Sequence, residues 1–294
     1  MSTAMTERYL SLLKKSLLNE LYLENEARIL GLLMQLLFPR QTTLDEMARE
    51  FLNARHGELY AKVQEMRRVG GFIQIRTNAA DGTSSELVAA RNFAFVAHSM
   101  IGRARMDNLH DCMNAVLADR IPGDFIETGV WKGGSTIFMR GFLQAHNIHD
   151  RKVWVADSFE GLPKPSLPED ENWDLSADVM PYLAVSEEEV RELFERYELL
   201  DEQVMFLKGW FKDTLPTADI DKLAVLRLDG DLYESTMDAL NALYHKLSPG
   251  GFVIVDDYNA LPQCEQAITD FRRHHGIQDE LVRIDEMSVF WRKR

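Results

Sequence analysis

Two short apolar runs, Leu223–Leu228 and Phe252–Val255, each end in aspartates and are separated by one amphipathic stretch. Runs of this length, bounded by Gly, Pro and Asp, read as strands buried on both faces. Parallel strands joined by a helical crossover bring their C-termini to the same sheet edge. Asp229, Asp231, Asp256 and Asp257 are therefore expected to converge where open α/β sheets bind ligands. Helix capping accounts for one such acid. It does not account for four at two neighbouring strand ends.

The 294-residue chain can form one large α/β domain and a smaller appendage. Its formal net charge of −14 argues against nonspecific nucleic-acid binding. Much of that charge is local: between Glu160 and Glu202, 14 acids face only Lys164, Arg191 and Arg196, a net of −11. Such a run reads as a solvated face. Cys112 and Cys264 lie far apart in no metal-like spacing, as free thiols of a reducing compartment do. The longest apolar run, Ile29–Phe38, is interrupted by Gln35 and is too short to span a bilayer. With no signal-peptide layout at the N-terminus, the expectation is a cytoplasmic protein with no membrane partner.

Leu10, Leu13, Leu17 and Leu21 form a helical stripe over Tyr9–Tyr22. Ile29–Phe38, stopped by Pro39, predicts a second helix, apolar nearly all round and so buried or in a subunit interface. Thr43-Leu-Asp-Glu46 is a capping-box sequence that opens a third, with Gly57 at its end. Glu58–Val69 predicts a fourth, closed by Gly70 and Gly71. Asn78–Ser85 reads as a polar loop, followed by helices over Glu86–Ser99 and Asn108–Asp119. Residues 1–120 thus read as an N-terminal helical region, set apart from a second domain over 121–294.

From Gly123 the period changes. Strands are predicted at Phe125–Thr128, Val153–Ala156, Val204–Leu207, Leu223–Leu228, Phe252–Val255, Leu281–Ile284 and Val289–Arg292. The first five alternate with helices at Gly134–Asn147, Ser186–Leu199, Ser235–Leu247 and Pro262–His275, so they are expected to be parallel. Four residues join the last two, which permits only an antiparallel hairpin. Five parallel strands and a terminal hairpin resemble the Rossmann-like, seven-stranded α/β sheet of class I methyltransferases. Gly161–Pro181, rich in Pro and acids, reads as a long loop, with Trp173 placed to close over an acceptor as part of a lid.

Glu127-Thr-Gly-Val-Trp-Lys-Gly-Gly-Ser135 follows the first predicted strand of this domain and opens a helix. Glycines there let backbone N–H groups approach a ligand. The spacing is G-x-x-x-G-G rather than the dinucleotide G-x-G-x-x-G. The next strand ends at Asp157, an acid placed to accept both hydroxyls of a ribose. An acid-lined pocket suits the ammonium and sulfonium of S-adenosylmethionine (SAM) better than a pyrophosphate.

The blocks A-H-S-M-I-G-R-A-R-M-D-N-L-H from Ala97, P-G-D-F-I-E-T-G-V-W-K-G-G from Pro122 and V-W-V-A-D-S-F-E-G-L-P from Val153 make the resemblance specific. F-L-K-G-W-F-K-D-T-L-P from Phe206, L-R-L-D-G-D-L-Y-E-S-T-M-D from Leu226 and S-P-G-G-F-V-I-V-D-D-Y from Ser248 extend it. The chain resembles the macrocin O-methyltransferase (TylF) family, which methylates sugar hydroxyls of glycosylated natural products. The resemblance implies a SAM- and Mg²⁺-dependent O-methyltransferase acting on a hydroxylated small molecule, assembled as a homodimer or higher homo-oligomer. By position it implies metal ligands at Asp229, Asp256 and Asp257, with Asp229 also the base. It implies cofactor contacts at Met100, Glu127, Thr128, Gly129, Trp131, Ser135, Asp157, Ser158, Trp210 and Asp213. Glu26–Ala90 departs from the family pattern, which leaves the acceptor open.

Hard oxygen ligands suit Mg²⁺, which takes one or two carboxylates together with waters and substrate oxygens. Three alternatives stand beside this reading. One is a metal-free methyltransferase with His98 or His110 as base. Another is a nicotinamide oxidoreductase, disfavoured by the glycine spacing and the acid cluster. The third is a non-catalytic partner whose N-terminal helices mediate assembly.

Overall fold

The computed structural model describes residues 3–37, 43, 45–46, 48–49, 58–69, 72–78, 84–91 and 96–294. The chain divides into two units, Lys14–Gly102 and a larger one of Met1–Leu13 with Arg103–Arg294. Among the described residues no helix is long and apolar enough to cross a membrane.

The smaller unit takes the end of α1 (Thr3–Leu17), then α2 (Leu23–Leu37), α3 (Glu58–Val69) and the strands β1 (Phe72–Asn78) and β2 (Ser84–Arg91). The expected leucine stripe is buried at Leu10, Leu13 and Leu17, whereas Leu21 lies beyond the helix end and is exposed. The carbonyl of Leu17 accepts from the N–H groups of His98 and Ser99 at 2.9 and 3.2 Å. Thr43 and Glu46 make the reciprocal bonds of a capping box, Thr43 N–H to Glu46 Oε2 at 2.8 Å and Glu46 N–H to Thr43 Oγ1 at 3.3 Å. The extent of that third helix, its end at Gly57 and the Gly70-Gly71 stop lie outside the described residues.

One expectation is overturned. The segment from Glu86, read as a helix, is the strand β2, antiparallel to β1 with Ile73 opposite Ala90 and Asn78 opposite Ser84. Glu, Leu and Ala favour a helix by propensity, but a strand partner that fills the backbone hydrogen bonds outweighs it. Of the polar stretch read as a loop, Asn78, Ser84 and Ser85 belong to the strands, and residues 79–83 lie outside the described residues.

The larger unit holds α4 (Gly102–Ala118), β3 (Asp124–Thr128), α5 (Gly134–Ala145), β4 (Val153–Asp157), α6 (Glu187–Arg196), β5 (Val204–Lys208) and the short α7 (Phe211–Thr214). Then follow β6 (Leu223–Leu228), α8 (Tyr233–Leu243), β7 (Leu247–Val255), α9 (Pro262–His274), β8 (Val282–Arg283) and β9 (Val289–Arg292). These strands form one sheet in the order β5-β4-β3-β6-β7-β9-β8. β3 to β7 are parallel, and β9 runs antiparallel to both β7 and β8. Its core includes Ile126, Trp154, Leu226, Val253, Phe271 and Trp291.

The chain builds β3, β4 and β5 outward in one direction, then returns to lay β6 on the other side of β3. The β3–β6 seam is thus the topological switch point, where adjacent loops diverge and open a crevice. Backbone pairing continues one step past the strands. N–H groups of Gly209, Gly129, Asp229 and Asp256 donate to the carbonyls of Asp157, Ala156, Thr128 and Leu228 at 2.8–2.9 Å. Gly209, Asp157, Gly129, Asp229 and Asp256 therefore lie along one edge. Gly129 cannot be any other residue there: at φ +87°, a Cβ would stand 1.8 Å from the carbonyl oxygen of Asp229. The loops after β3, β4 and β6 each hold a non-glycine residue in the left-handed region, Trp131, Phe159 and Asp231 at φ 49°, 58° and 58°.

The long loop after β4 is fastened in the middle. Asp170, fully buried, accepts from the N–H groups of Tyr233 at 2.8 Å and Glu234 at 3.0 Å, and so caps α8 from outside its own sequence. Trp173, the expected lid residue, is 37% exposed. Asp170→Ala leaves the first N–H groups of α8 without their acceptor, and is expected to cost about 1–2 kcal/mol of stability. Urea denaturation checks this, and an unchanged midpoint would mean that the cap contributes nothing.

Candidate active site

Arg227 sits one residue before the end of β6, directly opposite Glu127 of β3 in the parallel register. Alternation along the strand puts Arg227 and Asp229 on the same face. The Arg227 side chain is wholly buried. Its Nη1 donates to Glu127 Oε1 at 2.6 Å and to Asp229 Oδ2 at 2.7 Å, and its Nη2 donates to Asp256 Oδ1 at the end of β7. One guanidinium thus ties three strand ends together by charge-assisted bonds. The second oxygen of Asp256 accepts from Arg105 Nη1 of α4 at 2.5 Å, and Arg105 Nε donates to Asp285 Oδ2 at 2.7 Å.

Beside this network lies an open-sided group of acids. One carboxylate oxygen from each of Asp229, Asp231 and Asp257 lies within 4.8 Å of the other two. Among the described residues Arg105 and Arg227 bond Glu127, Asp229, Asp256 and Asp285 of this edge. Burial, followed by the charge of Asp256, drives the Asp229 carboxyl well above its ordinary range, while Arg227 works the other way. Burial likewise lifts Glu127 to about 7, against the pull of Arg227. A divalent cation fits this set of closely spaced, hard oxygen donors.

The structure therefore sorts the aspartates expected at this edge. Asp229 and Asp257 stand in the cation-sized group together with Asp231, which the family-based ligand set omitted. Asp256 has each of its oxygens on an arginine.

The glycine-rich turn forms the other half of the edge. Asp157 Oδ2 accepts from the Val130 N–H at 2.7 Å and Oδ1 from the Phe159 N–H at 2.8 Å. Burial raises its carboxyl above the usual value, opposed by these backbone donors. Glu127 and Thr128 end β3, and Ser135 is buried in the first turn of α5, which starts from left-handed Gly133 at φ 78°. Ser158 Oγ donates to the Gly161 carbonyl at 2.6 Å. Trp131 Nε1 donates to the Tyr182 carbonyl at 3.0 Å, linking this turn to the loop after β4. Trp210 precedes α7 and Asp213 lies within it, and Gly209 brings both to the Asp157 strand end. Met100 and His98 belong to the smaller unit. His110 is buried edge-on against Phe138 and Phe142, with centroids at 5.5 and 5.6 Å, as a core histidine rather than a base.

Arg227, Arg105, Asp285 and Asp170 are the residues that sequence reasoning passed over. Arg227 left a signal: an arginine inside a strand buried on both faces needs carboxylate partners. Nothing in the sequence pattern pointed to the other three.

A switch-point crevice with a glycine turn on one side and strand-end acids on the other, set in a sheet of this order, defines a class I methyltransferase. The macrocin-O-methyltransferase (TylF) family model matches residues 6–293, and the chain belongs to that family. It is 53% identical over 206 residues to demethyldecarbamoylnovobiocin O-methyltransferase of Streptomyces niveus, covering 69% of this chain and 78% of that protein. It is 46% identical over 248 residues to mycinamicin III 3''-O-methyltransferase of Micromonospora griseorubida, covering 80% and 96%. Among solved structures, the O-methyltransferase NovP matches with a TM-score of 0.66 at 55% identity, over 67% of this chain and 82% of that one. The calicheamicin methyltransferase CalS11 shares the fold, with a TM-score of 0.53 at 16% identity over 91% of each chain. The protein is a SAM-dependent O-methyltransferase.

The raised Glu127 carboxyl has a consequence for stability. A group whose folded pKa lies above its unfolded one stabilises fully below the unfolded value, here 4.5, and loses that contribution as pH rises through about 7. The melting temperature of the metal-free protein is expected to fall between pH 5 and pH 8, and less steeply with divalent cation present. Calorimetric scans across that range test this, and a rising melting temperature would contradict it.

Proposed function

We propose that the protein transfers the methyl group of SAM to a sugar hydroxyl of a glycosylated natural product, with Mg²⁺ held by Asp229, Asp231 and Asp257. The observation that carries the metal is the packing of those three carboxylates within 4.8 Å of one another. The acceptor class rests on relatives. One of them, a tetracenomycin-C 4'-O-methyltransferase of Streptomyces olivaceus at 53% identity over 223 residues, carries a dimethoxy-rhamnosyl group in its name.

The glycine turn and Asp157 would hold SAM, with Asp157 accepting from its ribose hydroxyls and the acids facing its cationic end. Asp229, Asp231 and Asp257 would hold Mg²⁺, which would supply Lewis-acid polarisation that lowers the pKa of an acceptor hydroxyl. Asp229 is the base. Arg227 fixes its Oδ2, and its side chain remains 22% exposed at the open side of the pocket. The hydroxyl gives its proton to Asp229 and its oxygen forms the new bond to the methyl carbon. The carbon–sulfur bond breaks, leaving a neutral thioether. Most of the remaining work is alignment, since in-line transfer needs little covalent help from the protein.

Asp257→Asn is expected to lower kcat by at least about 100-fold, the upper scale for groups one shell further out. SAM affinity should stay within a few-fold. The metal-free variant should be no less stable than the parent, because one carboxylate of a crowded set has lost its charge. Methyl-transfer assays with EDTA-treated enzyme decide the matter. Full activity after chelation, with no gain from added divalent ions, would rule the metal out.

A further inference from the structure

The loop between β4 and α6 is fastened on both sides of the β3–β6 seam. Near its middle, Asp170 takes the N–H groups of Tyr233 and Glu234, and Ser166 Oγ donates to Glu234 Oε2 at 2.5 Å. Both bonds fall on the first turn of α8, just past Asp231. Near its end, the Tyr182 carbonyl accepts from Trp131 Nε1 at 3.0 Å, in the glycine turn after β3. Because β3 lies between β4 and β6, a loop that leaves β4 and reaches α8 passes over the end of β3. It is a strap across the crevice. Between its two fastenings the Ser176 carbonyl takes the N–H groups of Val179 and Met180 at 2.9 and 2.8 Å.

Trp131 is an odd residue for its place. Its φ of 49° lies in the left-handed region, where a residue with a Cβ is strained and glycine is at ease. Gly129 and Gly133, two positions to either side, take that region as glycines. A tryptophan between them has to be offset by what its side chain does. Its side chain is only partly buried, so burial supplies little of that. The bond from its indole to the strap supplies a specific contact instead.

The backbone of the same residue serves the cofactor side. Its N–H is one of three that Asp157 accepts, with those of Val130 at 2.7 Å and Phe159 at 2.8 Å. One residue thus bonds Asp157 through its backbone and the strap through its side chain.

We propose that Trp131 is a positioning residue that passes occupancy of the cofactor turn to the strap. A ligand on the turn fixes the indole N–H, and the segment around Tyr182 settles over the crevice. With the turn empty, turn and segment loosen together. A ligand shifts such an equilibrium only by binding its two states unequally, and here the state of the turn makes the difference. This rests on the ribose site at Asp157 proposed above.

Hydrogen–deuterium exchange on the full-length protein tests it, over a peptide spanning residues 177–185, with and without S-adenosylhomocysteine. The ligand is added to saturation of each protein, checked by calorimetry, so that a change of affinity does not enter the comparison. In the parent it is expected to slow exchange of this peptide about fivefold or more, the lower end of common coupling between two sites. In Trp131→Phe, which keeps a ring and loses the N–H donor, the slowing should be less than about twofold. A merely structural role for the indole would speed exchange in the variant with and without ligand and keep the parent's ratio. That result overturns the proposal and leaves the ribose site standing, as does a parent whose exchange ignores the ligand. If Trp131→Phe does not fold, Trp131→Asn replaces it, since asparagine tolerates the left-handed region and is too short to reach Tyr182. Asp157→Asn is expected to weaken binding of the same ligand about tenfold or more, the scale of hydrogen bonds to a charged group. Parent-like affinity in that variant overturns the ribose site, and this proposal with it.

Discussion

A guanidinium without solvent, shared by three carboxylates from three strands, governs the layout of the sheet edge. Stripping an ion from water costs several kcal/mol unless its partners are close and well aligned. Arg227 meets that demand with Glu127, Asp229 and Asp256, all within charge-assisted bonding distance. The condition binds the backbone as well. Glu127 must pair in register with Arg227, and the β3 and β6 ends must approach so closely that only glycine fits at position 129.

The same seam is where the order of the sheet reverses, and this is why a cofactor cradle and an acid group share it. β4 and its Asp157 lie on one side of β3, and β6 and β7 with their aspartates lie on the other. The glycine turn leaves from the strand between them. Methyl transfer needs a donor and an acceptor oxygen held in line, and a fold whose loops diverge at one point provides that arrangement without further catalytic groups.

Most of the sheet could be read from local pattern. Apolar runs ending in aspartate, a Gly-rich turn before a helix and a four-residue link between the last strands each set a strand, a crossover or a hairpin without knowledge of the rest. The partners of Arg227 could not be read that way, because they depend on which residue of β3 faces which residue of β6. The two arginines that bond Asp256 could not be read that way either, since they come from β6 and from a helix some 150 residues earlier. β2 was misread as a helix because its residues favour one and its strand partner β1 was not recognised. Asp170 gave no local sign of its role, for the helix it caps begins 63 residues later.

Arg227 and Arg105 hold Asp256, and the proposed cation lies among Asp229, Asp231 and Asp257. Crystals soaked in Mn²⁺ and measured near the manganese absorption edge test it most directly. The account predicts an anomalous peak bounded by oxygens of Asp229, Asp231 and Asp257, with both oxygens of Asp256 still on the two guanidinium groups. A peak bonded to Asp256, with Arg227 turned away from Asp229, would contradict it.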